Sequence, residues 1–117
     1  MTDNDALLKA IVEGIQERKG KSITHVDMTG IEWVATQHFI ICTGTSTTMV
    51  SAIADNIIKE AKEKLGIKPV RMQGMENAFW VIIDFGDAVV HIFLKEYREF
   101  YRLEDLWADA PRKTYTD

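Results

Sequence analysis

Few residues in this chain are of types that do chemistry, and their spacing says which chemistry is open to them. Asp84 and Asp87 stand three apart around Phe85-Gly86, and Thr43-Gly44-Thr45-Ser46 precedes a long run with helical periodicity. Nucleotidyl transfer needs paired carboxylates projecting together from a strand, so that metal ions are held at a phosphate. No Asp-x-Asp follows the Thr-Gly-Thr-Ser turn, where the nearest acid is Asp55, alone in the helical run. Asp84 and Asp87 flank a turn and are three apart, so they would not project together from one strand. A nucleotide-binding or nucleotidyl-transfer enzyme is therefore the alternative reading and not the first. Thr-Gly-Thr-Ser could hold an anion on the free N–H groups of a helix start, but a tight turn with an N-cap accounts for it. His25, His38 and His91 show no paired spacing and Cys42 is the one cysteine, so no metal site is expected. Cys42 has no activating His or cation next to it in the chain and reads as a buried strand residue. These residues give no catalytic group and no cofactor. What remains is Trp80 among carboxylates and a histidine, a combination suited to docking.

The elements that would position these side chains follow from periodicity. Ala6, Leu7, Ala10, Ile11, Gly14 and Ile15 form a stripe at helical spacing over residues 5–19, with Asp3, Asn4 or Asp5 as cap and Gly20 as stop. Ser22 to Met28 and His38 to Thr43 read as strands. Ser46 or Thr47 caps a long helix that runs to Leu65, with Val50, Ile53, Ala54, Ile57, Ile58 and Ala61 on its apolar face and Gly66 as its stop. Strand, glycine turn and helix open a crossover, so Val70 to Gln73 is expected to run parallel to the His38–Thr43 strand. Phe79–Ile83 and Ala88–Phe93 form a hairpin. A two-residue turn at Phe85-Gly86 would pair Ile83 with Ala88, Val81 with Val90 and Phe79 with Ile92, on one wholly apolar face. The opposite face carries Trp80, Ile82, Asp84, Asp87, Val89 and His91, with Trp80 across from His91. This mixed face is expected to be the less buried one and to dock a partner. The competing reading packs Trp80 beneath the C-terminal segment. Lys95 to Trp107 holds too many aromatic and aliphatic groups for a free tail and is expected to fold back, whereas residues 108–117 read as a frayed end. The sum is a single domain over residues 1–107. Its class is α/β (α+β), with a mixed sheet of about five strands and helices mainly on one face.

Composition narrows the partners. The 117 residues are 46% hydrophobic and 27% charged, as for one globular domain. Fourteen basic against eighteen acidic residues leave a net charge of -4, the wrong sign for a chain that grips phosphate backbones by itself. Direct DNA binding is not expected, and a basic protein partner fits better. From Asp84 to Asp109 seven acids stand against three bases, and the same stretch is rich in aromatics. No apolar run approaches the roughly 20 residues of a membrane span. The opening MTDNDALLKAIVEG lacks the basic and apolar regions of a secretory signal, so the expected location is the cytoplasm.

Three stretches carry a resemblance. FIICTGTSTTMVSAIADNI (Phe39–Ile57), WVIIDFGDAVVHIF (Trp80–Phe93) and REFYRLEDLW (Arg98–Trp107) resemble, in order and spacing, the strand-to-helix, hairpin and C-terminal signatures of the ribosomal silencing factor family, also called Iojap-like or RsfS. His38 and Met49 depart from that pattern, standing where the family often has an Asp and a polar or basic residue. The resemblance implies a fold similar to the nucleotidyltransferase superfamily and homodimers of the free chain. It implies a repressor of translation that binds the large ribosomal subunit through ribosomal protein L-fourteen and sterically blocks subunit joining, an antiassociation role. By resemblance the docking residues are Trp80, Asp84, Asp87, His91, Glu99, Tyr101, Glu104 and Trp107.

Overall fold

The two aliphatic stripes at helical spacing become the two long helices that cover one side of a sheet. The computed structural model describes residues 3–31, 36–102, 105 and 110–115. Helix α1 spans Asp3–Glu17 and α2 spans Thr47–Leu65. Both ends of α2 are closed where the sequence signals them. Ser46 Oγ accepts the Met49 N–H at 3.1 Å. Gly66, at φ 66°, donates to the Lys62 carbonyl at 2.9 Å, and Ile67 donates to the Ala61 carbonyl at 3.2 Å. These bonds satisfy groups that a helix end leaves orphaned. Buried Asn56 clasps the helices together by donating to the Gly14 carbonyl at 2.9 Å, and Lys64 bridges Glu60 at 2.7 Å and Glu13 at 3.3 Å.

The strands are β1 (Lys21–Asp27), β2 (His38–Gly44), β3 (Arg71–Gln73), β4 (Trp80–Asp84), β5 (Ala88–Leu94) and β6 (Arg112–Thr114). They form one sheet in the order β3-β4-β5-β2-β1-β6. β2 and β5 run parallel at its centre, and the other described pairings are antiparallel. Side chains alternate across the pleat, so Ile23, Ile40, Cys42, Val81, Ile83, Val90 and Ile92 face α1 and α2 and form the main core with Ile11, Ile15, Val50, Ile53 and Ile57. The mixed sheet with helices on one face is the class the sequence predicts.

Three details differ from the sequence reading, each for a physical reason. β3 does run in the direction of β2, but it pairs with β4 at the sheet edge, and β5 takes the place beside β2. The crossover through α2 is long enough to pass over two strands. In the hairpin, Val81 pairs with Ile92, Ile83 with Val90 and Trp80 with Phe93, a slip of two residues from the expected register. Phe85 is the cause. It is buried in the main core, and its N–H donates to the Ala88 carbonyl at 2.9 Å, so the two turn residues are Gly86 and Asp87. Gly86 takes φ 94° at the first turn position, which only glycine adopts without strain. A slip of two keeps every side chain on its expected face, except that Phe79 falls off the strand end. Finally, the tail expected to fray contributes β6, with Thr114 opposite Thr24 and Arg112 opposite Val26. Without it, the outer edge of β1 would present unpaired backbone groups.

Candidate functional site

Directly after β5 the chain turns into a short helix, α3 (Lys95–Tyr101), none of whose residues is buried. A helix this exposed needs an external hold, and Arg98 provides it. Its guanidinium donates to the Ser22 carbonyl, to Thr43 Oγ1 at 3.0 Å and to Thr24 Oγ1 at 3.2 Å. α3 is thereby laid across one end of the sheet face that α1 and α2 leave uncovered.

On the β4 side of α3 the aromatic residues gather. Tyr97 stacks on Phe79 at 5.0 Å between centroids, Tyr101 lies 4.9 Å from Trp80, and Trp80 stacks on Phe93 at 4.9 Å. The Trp80 indole N–H donates to His91 Nδ1 at 3.0 Å. Phe93 and His91 are buried and Trp80 is half-buried, while Phe100 is 80% exposed, Tyr101 48% and Phe79 38%. A shallow groove of about 310 Å³ runs between Glu96, Tyr97, Phe100 and Tyr101. Burial holds the His91 imidazole down to about 4, so near neutral pH it is uncharged, with Nδ1 as acceptor.

The residues named from the sequence divide into groups. Trp80, His91 and Tyr101 come together. Asp84 and Asp87 sit at the hairpin tip, roughly 13 Å along β4 from Trp80 at the rise of an extended strand. Asp84 Oδ1 accepts the Gly86 N–H at 2.7 Å, and Asp87 is exposed in the turn. Glu99 lies on the opposite flank of α3, beside a separate cleft. Glu104 and Trp107 lie outside the described residues.

The mixed face is also less open than the sequence suggests. Val89, His91 and Phe93 are buried, and only its β4 flank, at Trp80, Ile82 and Asp84, is half-buried. Trp80 combines the two competing readings: its ring packs on Phe93 and Tyr101, and part of it stays accessible. The sequence reading missed Phe79, Tyr97 and Phe100 as surface residues. Tyr97, Phe100 and Tyr101 carried a usable signal in their i, i+3, i+4 spacing. Phe79 carried none, because its place depends on the hairpin register.

The other chemical candidates are occupied. Thr45 donates through both its N–H and its hydroxyl to the Met49 sulfur at 3.3 Å, and Ser46 caps α2, which favours the capping role of this turn. His25 Nε2 and His38 Nδ1 share a hydrogen bond of 2.9 Å. No group of three or more His, Cys, Asp or Glu placed to hold a metal occurs among the described residues. Cys42 is wholly buried, and burial pushes its thiol up to about 12, so it is no nucleophile in the folded chain. Among the described residues no helix is long and apolar enough to cross a membrane.

Comparison with known proteins gives this surface a context. The family described as "Ribosomal silencing factor during starvation" matches residues 2–117. The chain is 44% identical over 108 residues to the ribosomal silencing factor RsfS of Halalkalibacterium halodurans, covering 92% of this chain and 91% of that protein. It is similar to a solved structure from Chromobacterium violaceum with a TM-score of 0.86 at 30% identity, covering 99% of this chain and 95% of the other. A likeness of 39% over 74 residues links it to mitochondrial assembly of ribosomal large subunit protein 1 of Mus musculus, covering 62% of this chain and 32% of the mouse protein.

Proposed function

The chain belongs to the ribosomal silencing factor family, and we propose on that footing that it represses translation by docking on the large ribosomal subunit. The contact would be made with ribosomal protein L-fourteen, and the docked body would stand in the way of the small subunit. The mouse relative's name points to the same subunit.

The observation that carries the proposal is the aromatic surface around α3. Phe100, Tyr101 and Phe79 are exposed beside a half-buried Trp80. Aromatic side chains left at a surface in one cluster are the usual anchors of a protein interface. Glu96 lines the aromatic groove, and the hairpin-tip acids Asp84 and Asp87 add negative charge further along β4, which suits a cationic partner. Trp80, Phe100 and Tyr101 are the proposed contact residues. His91 acts beneath them by holding the indole.

Sedimentation tests the proposal directly. The purified chain is expected to travel with free large subunits, to be absent from joined ribosomes, and to lower the yield of joined ribosomes when the two subunits are mixed. Equal occupancy of free and joined large subunits would refute a steric block.

A further inference from the structure

On the flank of α3 away from the aromatic residues, a cleft of about 760 Å³ opens between the start of β1, the end of β2 and the helix. Lys21, Lys95, Arg98 and Arg102 line it against a single carboxylate, Glu99. The chain as a whole is acidic, with a net charge of -4, so four cations to one acid is a local reversal of sign. The cations are brought in from opposite parts of the chain. Lys21 opens β1, just before the register shift between Lys21 and Thr24, and the other three come from α3 and its C-cap. Arg98 ties the two sides together by donating to the Ser22 carbonyl.

The four differ in what already engages them. Arg98 is fixed by its bonds to β1 and β2, a positive charge set in place in advance. Arg102 pairs with Asp105 at 2.9 Å, but both side chains are more than half exposed, and such a pair is weak and exchangeable. Among the described residues no carboxylate lies within ion-pair distance of Lys21 or Lys95. The lining contains no aromatic or aliphatic residue, so no apolar slot is present to enclose a base. Cations with hydroxyls and no apolar slot recognise phosphate and leave the base unread.

The geometry points to this cleft as a site for phosphates of the ribosomal RNA backbone beside the docked protein partner. α3 would then carry a protein contact on one flank and an RNA contact on the other. The inference rests on the proposal that the chain docks on the large subunit. It also explains how an acidic protein can settle on a particle whose surface is largely phosphate.

The test compares the full chain with Lys21→Ala/Lys95→Ala and with Phe100→Ala, measuring affinity for purified large subunits between about 50 and 200 mM salt. Each phosphate contact contributes roughly 0.7 to 0.9 to the slope of log affinity against log salt. The double lysine variant is expected to lose about 1.5 from that slope and to bind about tenfold more weakly at the low-salt end, with an unchanged melting temperature. Phe100→Ala is expected to bind more weakly at an unchanged slope. If the lysine variant keeps the wild-type slope while binding persists, the cleft assignment is wrong and the docking proposal stands. If no variant and no wild type binds the subunit, both fall. Calorimetry of the free chain with ATP supplies the last arm. Saturable micromolar binding that the lysine changes abolish would assign the cleft to a nucleotide instead.

Discussion

Trp80 owes its place to a buried neighbour that titrates. His91 accepts the indole N–H only while it is neutral, and burial keeps it neutral down to about 4. An unfolded imidazole titrates near 6.5, so on acidification the unfolded chain takes up this proton first. The stability that His91 contributes is complete above about pH 6.5 and drains away as the pH falls towards 4. Urea unfolding should therefore show the wild type losing about 2 kcal/mol more than His91→Gln between pH 7 and pH 5. Equal losses would mean that the imidazole is not held neutral. The same packing makes Trp80→Ala an ambiguous probe of docking, because truncation removes ring contacts with Phe93 and Tyr101 as well. Phe100, at 80% exposed, is the cleaner choice. Phe100→Ala should leave the melt within about 0.5 kcal/mol of wild type and weaken subunit binding by about 2 kcal/mol. Cys42 should react with a thiol reagent at pH 8 only after denaturant is added, as a timed labelling assay would show.

Elements with their own punctuation were legible in the sequence, and those defined by their neighbours were not. α2 could be bounded at Ser46 and Gly66 because both caps act locally. The hairpin turn was misplaced because Phe85 is drawn into the core, a tertiary effect that its sequence neighbours do not signal. β6 was missed because Arg112, Lys113 and Thr114 are polar and exposed, and only the waiting edge of β1 makes them a strand. Of the site, Trp80 and Tyr101 could be picked out as aromatics in an acidic stretch. The cationic cleft could not, since Lys21 and α3 meet only through the fold. Gly74 gives a test at this scale. It sits at φ 85°, and a Cβ there would lie 2.0 Å from the Trp80 carbonyl oxygen. Gly74→Ala should cost more than about 2 kcal/mol in a chemical melt and disturb the start of β4 with it.

Across the whole molecule the charge is sorted more finely than the net value of -4 suggests. Acids stand near the hairpin tip and α3, while four cations line the cleft on the helix's other flank. One seven-residue helix thus separates two surfaces of different chemistry, and its hold on the body is the Arg98 clasp together with the Tyr97 stack on Phe79 and the tilted contact of Tyr101 with Trp80. Releasing that clasp should blunt both contacts at once. Arg98→Ala is expected to lower subunit affinity and salt slope together, whereas Phe100→Ala lowers affinity alone, a contrast that salt-dependent sedimentation would resolve.

The central parallel pair has a consequence for biosynthesis. His38 pairs with Ala88, fifty positions further along, and Thr24 pairs with Thr114 later still. Such long-range partners cannot meet while the second of them is still inside the exit tunnel, so β2 gains its central partner only after β5 has emerged, and the outer edge of β1 stays open until β6 has.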